Sequence, residues 1–308
     1  MELSLDVITT ITIPTPFPVG PVNLYLIKSD PVTLIDAGPY LPEADQLIEQ
    51  NLKQSGLGFQ DIKRRIVTHT HPDHVGLAGR LQELTDARLY LHTHEAAKLK
   101  QRSMDAYERV GILEQAGIPP EVVEEISRWN MKTRQQFTIP IDLDSVILVG
   151  GGERLEFQHF QLELIHTPGH SPGHLCLFDR QEGILFAGDH LLANISPNPV
   201  LEPDPSGLGR SKSMADYLKS VDSICKLPIK MVYPSHGEPF ADYQQVVDRF
   251  YRYFRLREKT VVEAMGNSPR TAYEIARTMY PVMPGRRNSF PTARRSNIPK
   301  RGNARTCH

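Results

Sequence analysis

Six consecutive residues carry the side chains that point most directly to chemistry in this chain. His69, His71, Asp73 and His74 follow a short apolar stretch, Ile66–Val67, and precede a segment with helical periodicity. Because His69 and His71 are two positions apart, they project from the same side of an extended segment. Imidazole nitrogen and carboxylate oxygen are ligands that borderline divalent metals prefer. The run therefore predicts one half of a two-metal site.

Three further groups of polar residues follow apolar, strand-like stretches later in the chain. They contain His170, Asp189 and His236. Ligands that lie just past strand ends are positioned by rigid elements and remain accessible. Four such groups in one chain argue against the alternative, in which residues 69–74 form a polar turn that is rich in histidine by chance. Asp36, which follows an apolar stretch as well, is expected to cap a turn beneath the metals or to support a ligand.

With these motifs in place, residues 8–240 resemble the metallo-β-lactamase superfamily of metal-dependent hydrolases. The resemblance implies an α/β (α+β) fold, a four-layer αββα sandwich in which two sheets face each other and helices cover the outside. It also implies two bound metal ions, with zinc expected and iron or manganese as alternatives. The implied ligands are His69, His71 and His170 for the first ion, Asp73, His74 and His236 for the second, and Asp189 as the bridge.

The ligand set indicates which branch of the superfamily the chain resembles. The commonest true β-lactamases have a cysteine where Asp189 stands, and none of the three cysteines here falls at a ligand position. The set is more similar to the glyoxalase II-like and lactonase-like branches. It implies cleavage of a small ester, thioester or lactone by a hydroxide shared between two ions roughly 3.5–4 Å apart. Asp73, Asp189 and His190 are the predicted catalytic residues, with His190 close to substrate or metal-bound water.

Other functions are compatible with parts of this pattern. A phosphodiesterase or ribonuclease of the same superfamily is the main alternative, although the net charge of −1 gives no general attraction to nucleic acid. A structural metal protein is disfavoured, because structural zinc sites are closed and rich in cysteine. Gly169–Gly173 matches a Gly-x-Ser-x-Gly pattern, but a strand follows it, whereas a nucleophile elbow leads into a helix.

The elements that must position these residues follow from the periodicity of apolar side chains. Before residue 95 strands alternate with helices, and a second group of strands follows residue 146. Strands are predicted at residues 7–13, 22–27, 32–35 and 88–91 and between 146 and 186, and helices from Pro42, at 75–84, at 242–265 and at 269–277.

Residues 1–240 form the predicted catalytic domain, and residues 95–136 within it are predicted to be a helical insertion. The apolar stripe of this insertion is explained most simply by a face that packs on the core. Its position also suggests a lid over the metals, with Tyr107 and Trp129 as candidates for a substrate pocket.

The C-terminal part departs from the catalytic pattern. Residues 241–280 resemble the start of a small winged-helix extension, but the rest of such a domain is not recognisable. Residues 281–308 contain no acidic residue and no apolar periodicity, which predicts a disordered basic tail. An altered or truncated reading frame and a nucleic-acid-binding arm are the alternatives.

Composition is consistent with a soluble enzyme, for which a cytoplasmic location is expected. The resemblance implies a small-molecule substrate, with nucleic acid as a less favoured partner. No apolar stretch is long enough to cross a bilayer, which argues against a membrane partner. The acidic N-terminus lacks the features of a signal peptide, and three scattered cysteines form no disulfide framework. The sequence does not define an oligomeric state.

Overall fold

The computed structural model describes residues 7–100, 104–196, 198–204 and 210–281, without the side chains of 104–109. In this part of the chain the strands are β1 (Ile8–Ile13), β2 (Val22–Ile27), β3 (Thr33–Ile35), β4 (Arg64–Ile66), β5 (Arg88–His92), β6 (Ile147–Val149), β7 (Arg154–Glu156), β8 (Gln161–His166), β9 (Leu175–Asp179), β10 (Ile184–Gly188) and β11 (Met231–Pro234). The helices are α1 (Ala44–Gln54), α2 (Pro72–Val75), α3 (Ala78–Leu84), α4 (Thr93–Lys100), α5 (Met104–Gln115), α6 (Pro120–Phe137), α7 (Ser213–Ile224), α8 (Tyr243–Met265) and α9 (Ala272–Met279). None of these helices is both long and apolar enough to cross a membrane.

The strands form two sheets with a mixture of parallel and antiparallel pairs. The first has the order β1-β2-β3-β4-β5-β6 and is parallel from β3 onwards. The second has the order β11-β10-β9-β8-β7, and only β10 and β11 pair in parallel. Strands that run in the same direction end at the same edge of their sheet, so each sheet gathers several strand ends at one edge.

Three separate clusters of buried apolar residues show how the layers are stacked. Alternate residues of β2 face opposite sides, so that Leu24 packs against α1 while Tyr25 packs toward the second sheet. In β9, Leu177 faces the first sheet and Phe178 faces α7 and α8. The clusters therefore lie between helix and sheet, between the two sheets, and between sheet and helix. This arrangement confirms the predicted αββα sandwich.

The position of β6 differs from the sequence-based grouping, which placed it with the second group of strands. β6 pairs in parallel with β5 at the edge of the first sheet. The turn at Gly150–Gly152 then carries the chain to the second sheet, with positive φ at Gly151 and Gly152. The apolar pattern cannot distinguish the two sheets, because a strand of either sheet contributes the same alternation.

The predicted helical insertion begins with a helix that belongs to the core. In α4, Ala96 and Leu99 are buried in the same apolar cluster as the first sheet. The later helices α5 and α6 pack on each other, and α9 contacts the turn between them through a hydrogen bond from Tyr273 N to Ala116 O. The predicted helices at 242–265 and 269–277 correspond to α8 and α9. The predicted basic tail lies outside the described residues, apart from Pro281.

Helix α2 and the end of α6 approach each other closely at Gly76, and this contact can be tested by mutation. A Cβ atom at this position would clash with Phe137 O at the end of α6 and would lie 2.6 Å from both Pro72 O and Tyr40 N. We expect Gly76→Ala to lower the free energy of unfolding by about 1–3 kcal/mol, because backbone atoms must move to accept the methyl group. Urea unfolding of the metal-free protein measures this change.

Gly111→Ala is the matched control, since it lies in α5 with open space around its would-be Cβ. There alanine should raise the free energy of unfolding by about 0.5–1 kcal/mol through helix propensity. Equal unfolding midpoints for Gly76→Ala and the wild type would show that this contact tolerates a side chain.

Candidate metal centre

The predicted ligands come together where the strand ends of the two sheets meet. In the first sheet, β4 ends just before His69. In the second sheet, β8, β10 and β11 run in one direction, because β8 and β10 are both antiparallel to β9 and β11 is parallel to β10. His170, Asp189 and His236 follow these three strands. Rigid strands therefore bring together side chains that lie up to 167 positions apart in the sequence.

The first group consists of three histidines whose ring nitrogens form a small triangle. His69 Nε2 lies 2.9 Å from His71 Nδ1 and 3.1 Å from His170 Nε2, and the third side measures 2.9 Å. The ring planes are almost perpendicular to one another, at 84°, 90° and 81°. The rings thus converge on one point from three directions.

The second group contains Asp73, His74 and His236, all of them buried. His74 Nε2 lies 3.9 Å from Asp73 Oδ1, and His236 Nε2 lies 3.5 Å from Asp73 Oδ2. Both of these histidine nitrogens are buried and make no hydrogen bond. Two unpaired ring nitrogens therefore face the same carboxylate.

Asp189 lies between the two groups and contacts both. Its Oδ2 is 3.3 Å from His170 Nε2, whereas its Oδ1 is 3.4 Å from His74 Nε2 and 3.5 Å from His236 Nε2. Ser235 donates a short hydrogen bond to Oδ1. The two oxygens of one carboxylate are thus directed to different ligand groups, as a bridging ligand requires.

The residues fit two divalent ions better than they fit hydrogen bonds among themselves. Three mutually adjacent ring nitrogens cannot all be satisfied by protons, since a neutral imidazole has one donor and one acceptor nitrogen. A tetrahedral ion with bonds of about 2.0–2.1 Å places its ligand atoms about 3.3 Å apart, close to the sides of the observed triangle. One group offers three imidazoles with the Asp189 carboxylate, and the other offers two imidazoles with Asp73.

In three of the histidines, the ring nitrogen that points away from the ligand group (the outer nitrogen) is hydrogen-bonded to an oxygen atom, and this bond fixes the tautomer. A proton on the outer nitrogen leaves a lone pair on the inner one, which is the form that binds a metal. The outer Nδ1 atoms lie 2.9 Å from Asp36 Oδ2 for His74, 3.0 Å from Asn198 O for His170 and 2.6 Å from Pro21 O for His236. The surrounding chain therefore prepares these three rings as ligands.

The two groups differ in their electrostatics. Burial, together with the neighbouring histidines, lowers the pKa of His69 well below its ordinary value, and burial lowers the pKa of His170 to about 4. Burial would also lower the pKa of His74, but the charges of Asp189, Asp36 and Asp73 together raise it well above its ordinary value. His69 and His170 are therefore neutral at pH 7, while the second group attracts positive charge.

Asp36 combines the two roles that the sequence suggested for it. Its Oδ1 accepts hydrogen bonds from Thr68 N and Thr68 Oγ1, at 2.8 and 2.9 Å, and its Oδ2 holds His74. Its φ of 62° lies in the left-handed region, which aspartate and asparagine tolerate better than most residues. Asp36 thus closes a turn and orients a ligand at the same time.

The remaining histidines of the ligand loops lie behind the metal groups. His174 Nε2 accepts a hydrogen bond from Asp189 N at 3.1 Å and so holds the bridging residue. His190 is completely buried and packs against the rings of Tyr217 and His174. Neither of its ring nitrogens makes a hydrogen bond, and it belongs to neither ligand group. Its predicted catalytic contact with substrate stays a prediction.

A third histidine group, His92, His94 and His166, has a different explanation. His94 Nδ1 and His166 Nε2 both approach Pro172 O, at 3.4 and 2.8 Å. His92 stacks on His166 with 22° between the ring planes, whereas the three rings of the first group meet almost at right angles. The shared carbonyl accounts for this cluster, which supports the loop that carries His170.

Several residues around the metals were not identified from the sequence. Glu95, Lys98 and Glu202 form a buried group of charges next to the first set of histidines. Glu95 lies inside the predicted insertion, and no local pattern marks it as different from a charged residue on a solvated helix face. Ser235 precedes the expected ligand His236, and this position was the only indication in the sequence that Ser235 lies at the site.

Comparison with known proteins agrees with this geometry. Residues 17–236 match the family model described as "Metallo-beta-lactamase superfamily". The chain is 30% identical over 284 residues to "Probable metallo-hydrolase YqjP" from Bacillus subtilis (strain 168), which covers 91% of this chain and 87% of the relative. The chain therefore belongs to the metallo-β-lactamase superfamily, and it is a metal-dependent hydrolase.

Two solved structures extend the comparison. The metallo-beta-lactamase family protein TTHA1429 from Thermus thermophilus is 31% identical with a TM-score of 0.77, over 90% of this chain and 88% of that one. TTHA1623, solved in a di-iron-bound form, is 25% identical with a TM-score of 0.51, over 76% and 94% of the two chains. The superfamily fold thus extends across most of the chain.

Asp36→Asn tests how the second group is oriented. An asparagine amide facing His74 Nδ1 would donate rather than accept, which favours the tautomer with a proton on the metal-facing Nε2. We expect affinity for one of two zinc ions to fall about 10–100-fold. Competition with a chromophoric chelator measures this zinc affinity.

Asp61→Asn, at a surface turn closed by Gly58 N, is the control. Unchanged zinc affinity in Asp36→Asn would contradict the proposed orientation of His74 by Asp36.

Because His92 is buried, we expect it to make the free energy of unfolding depend on pH. Burial lowers its pKa to about 4 from the ordinary 6.5. Between these pH values the unfolded chain binds a proton that the folded chain does not, so the contribution of His92 to stability is complete above pH 6.5 and is lost as the pH falls toward 4. In His92→Asn, the free energy of unfolding should fall less between about pH 7 and pH 4.5 than in the wild type.

In the wild type, His94 N donates a hydrogen bond to His92 Nδ1 at 3.1 Å. The side-chain oxygen of an asparagine at position 92 can accept the same hydrogen bond. His159→Asn, on the exposed turn between β7 and β8, serves as the control and should retain the wild-type pH profile. Parallel profiles for wild type and His92→Asn would show that the protonation of His92 is not coupled to folding.

Proposed function

We propose that this protein hydrolyses a small ester, thioester or lactone at a dinuclear centre. The observation that supports this most directly is the position of Asp189, whose two oxygens are directed to separate groups of ligands. Two ions that share a carboxylate are suited to an attack by water on an acyl carbon, because attacking and leaving oxygens can be stabilised together.

Zinc is the proposed metal, because nitrogen-rich sites with a few carboxylates suit it well. The di-iron form of the structural neighbour TTHA1623 makes iron the alternative for the same ligands. When bound, the ions supply acidified water and polarise the carbonyl oxygen of the substrate.

The side chains of this protein would divide the remaining tasks. Asp73 and Asp189 hold the ligand groups together and are placed to orient the attacking water. Burial raises the pKa of carboxyl groups, but the histidines around Asp189 hold its pKa well below the ordinary value, so it stays ionised. Because the ring of His190 is buried behind Asp189, we propose that His190 influences the reaction from that position.

The surroundings of the second group favour a small and partly apolar substrate. Phe17 and Phe137 pack edge to face with ring centres 5.2 Å apart, and the end of α6 that carries Phe137 is hydrogen-bonded to Tyr40 beside α2. Tyr40 is 46% exposed. These rings offer an apolar wall next to the helix that carries Asp73 and His74. Trp129 is 62% exposed on α6, and its role in a pocket stays a prediction.

A panel of substrates tests the proposal. The zinc-loaded full chain is assayed on S-acyl glutathione, on γ-lactones and acyl-homoserine lactones, on an activated ester, and on single-stranded RNA and a phosphodiester. We expect turnover of at least one acyl substrate and none of RNA. Cleavage of RNA or the phosphodiester alone would replace the proposed function with the phosphodiesterase alternative.

Asp189→Asn tests the bridging carboxylate. The amide keeps the shape of the side chain but removes the charge that faces both groups, so kcat should fall by about 10³-fold or more, as expected when a group that stabilises the reacting charge is lost. Asp45→Asn, at the partly exposed start of α1 and outside both ligand groups, is the control. An Asp189→Asn enzyme with near-normal kcat would contradict the bridging role.

A further inference from the structure

The loops that carry the three histidines of the first group are joined by one buried carboxylate. Glu95, in α4, is completely buried. Its Oε2 accepts hydrogen bonds from the backbone N, at 2.9 Å, and from the hydroxyl of Thr70. Its Oε1 accepts from Ser171 Oγ at 2.6 Å and from Gly173 N at 2.9 Å. Each oxygen therefore binds a different loop.

The residues that donate to Glu95 are next to the ligands in sequence. Thr70 stands between His69 and His71, and Ser171 follows His170. The two loops come from different sheets and share one backbone hydrogen bond, from Leu175 N to Thr68 O at 3.0 Å. Glu95 adds four side-chain hydrogen bonds next to the ligands themselves and thus helps to set the distance between the two loops.

Two further charges complete the arrangement. Lys98 Nζ lies 3.1 Å from Glu95 Oε2 and 2.8 Å from Glu202 Oε2, and both carboxylates are buried. Burial alone would raise the pKa of Glu95, but the Lys98 charge and the hydrogen bonds from Ser171 and Thr70 lower it to about 2. The group carries two negative charges and one positive charge, which leaves one net negative charge beside the first group.

Glu202 also reaches a ligand from the outside. Its Oε1 lies 3.8 Å from His71 Nε2, while His71 Nδ1 belongs to the triangle of inner nitrogens. A carboxylate on the outer side favours a proton there and a lone pair on the inner nitrogen. Lys98 therefore connects the carboxylate that joins the loops with the carboxylate that faces the outer side of His71.

We propose that Glu95 is a positioning residue that selectively builds the first metal site, with Lys98 and Glu202 as its supports. None of the described contacts of Glu95 reaches Asp73, His74 or His236. Its removal should therefore weaken the ion bound by His69, His71 and His170 and leave the other ion in place. A residue with a merely structural role would weaken both ions together or neither.

The inference rests on the proposed two-metal site, and metal affinity tests it without any substrate. Zn²⁺ is titrated against a chromophoric chelator, and Co²⁺ binding is followed by visible absorption, for the full-length wild type and for Glu95→Gln. Glutamine is almost isosteric, but its amide nitrogen leaves the backbone N–H of either Thr70 or Gly173 without an acceptor, while the neighbouring hydroxyl can turn to accept. Glu124→Gln, on the exposed face of α6, is the matched control.

His236→Ala identifies which affinity class belongs to the second ion. We expect Glu95→Gln to lose about 10–100-fold in affinity for one class, and His236→Ala to lose the other. The Co²⁺ absorption bands that disappear in the two variants should differ. The proposal is overturned if Glu95→Gln binds both ions as the wild type does, if it weakens both alike, or if it loses the same class as His236→Ala.

Ser171→Ala provides a second route if Glu95→Gln does not fold. It removes one hydrogen bond from Glu95 and leaves the three charges intact, so we expect a smaller loss in the same class, and the same three outcomes overturn the proposal. Wild-type protein that binds two ions but cleaves no acyl substrate would refute the proposed function and leave the role of Glu95 standing.

Discussion

The structure depends on keeping the carboxylate of Asp189 buried between two groups of histidines. An unpaired buried carboxylate is costly, so its surroundings must compensate for the charge. His170 lies on one side, His74 and His236 lie on the other, and Ser235 donates a hydrogen bond. Two divalent ions would complete that compensation, which explains why so many nitrogen atoms converge on one small volume. The rest of the catalytic part holds these groups at the correct distances.

Buried carboxylates recur as the connectors around this centre. Asp36 joins the end of β3 to Thr68 and to His74, while Glu95 joins the loops that carry His69, His71 and His170. A carboxylate can accept several hydrogen bonds at once, so one residue can reinforce the few backbone hydrogen bonds between neighbouring loops. Each connector lies one step away from a ligand and gives its ring or its loop one orientation. The two-sheet architecture is what allows this, because the loops of both sheets end at one edge.

Apolar periodicity explains which elements the sequence could reveal. Strands β1, β2, β3 and β5 and the helix α8 begin and end within one residue of their predicted positions, because each has its own apolar pattern. The sequence did not assign β6 to a sheet, since a three-residue strand looks the same in either sheet. α4 was predicted as part of an insertion, although Ala96 and Leu99 pack on the first sheet. Periodicity shows that a face is buried but not which partner buries it.

The candidate ligands of the metal centre were determined by the sequence alone, because metal binding requires particular side chains just past strand ends, and such motifs are local. The structure brings His69, His71 and His170 together in one group and Asp73, His74 and His236 in the other. Only the tertiary structure decided which oxygen atoms hold the outer nitrogens and which carboxylate spaces the two loops. Glu95, Lys98 and Glu202 are distant in sequence or sit in an ordinary helical pattern, so their meeting depends on how the two sheets pack. A charged residue shows its role only when the three-dimensional fold places its partners around it.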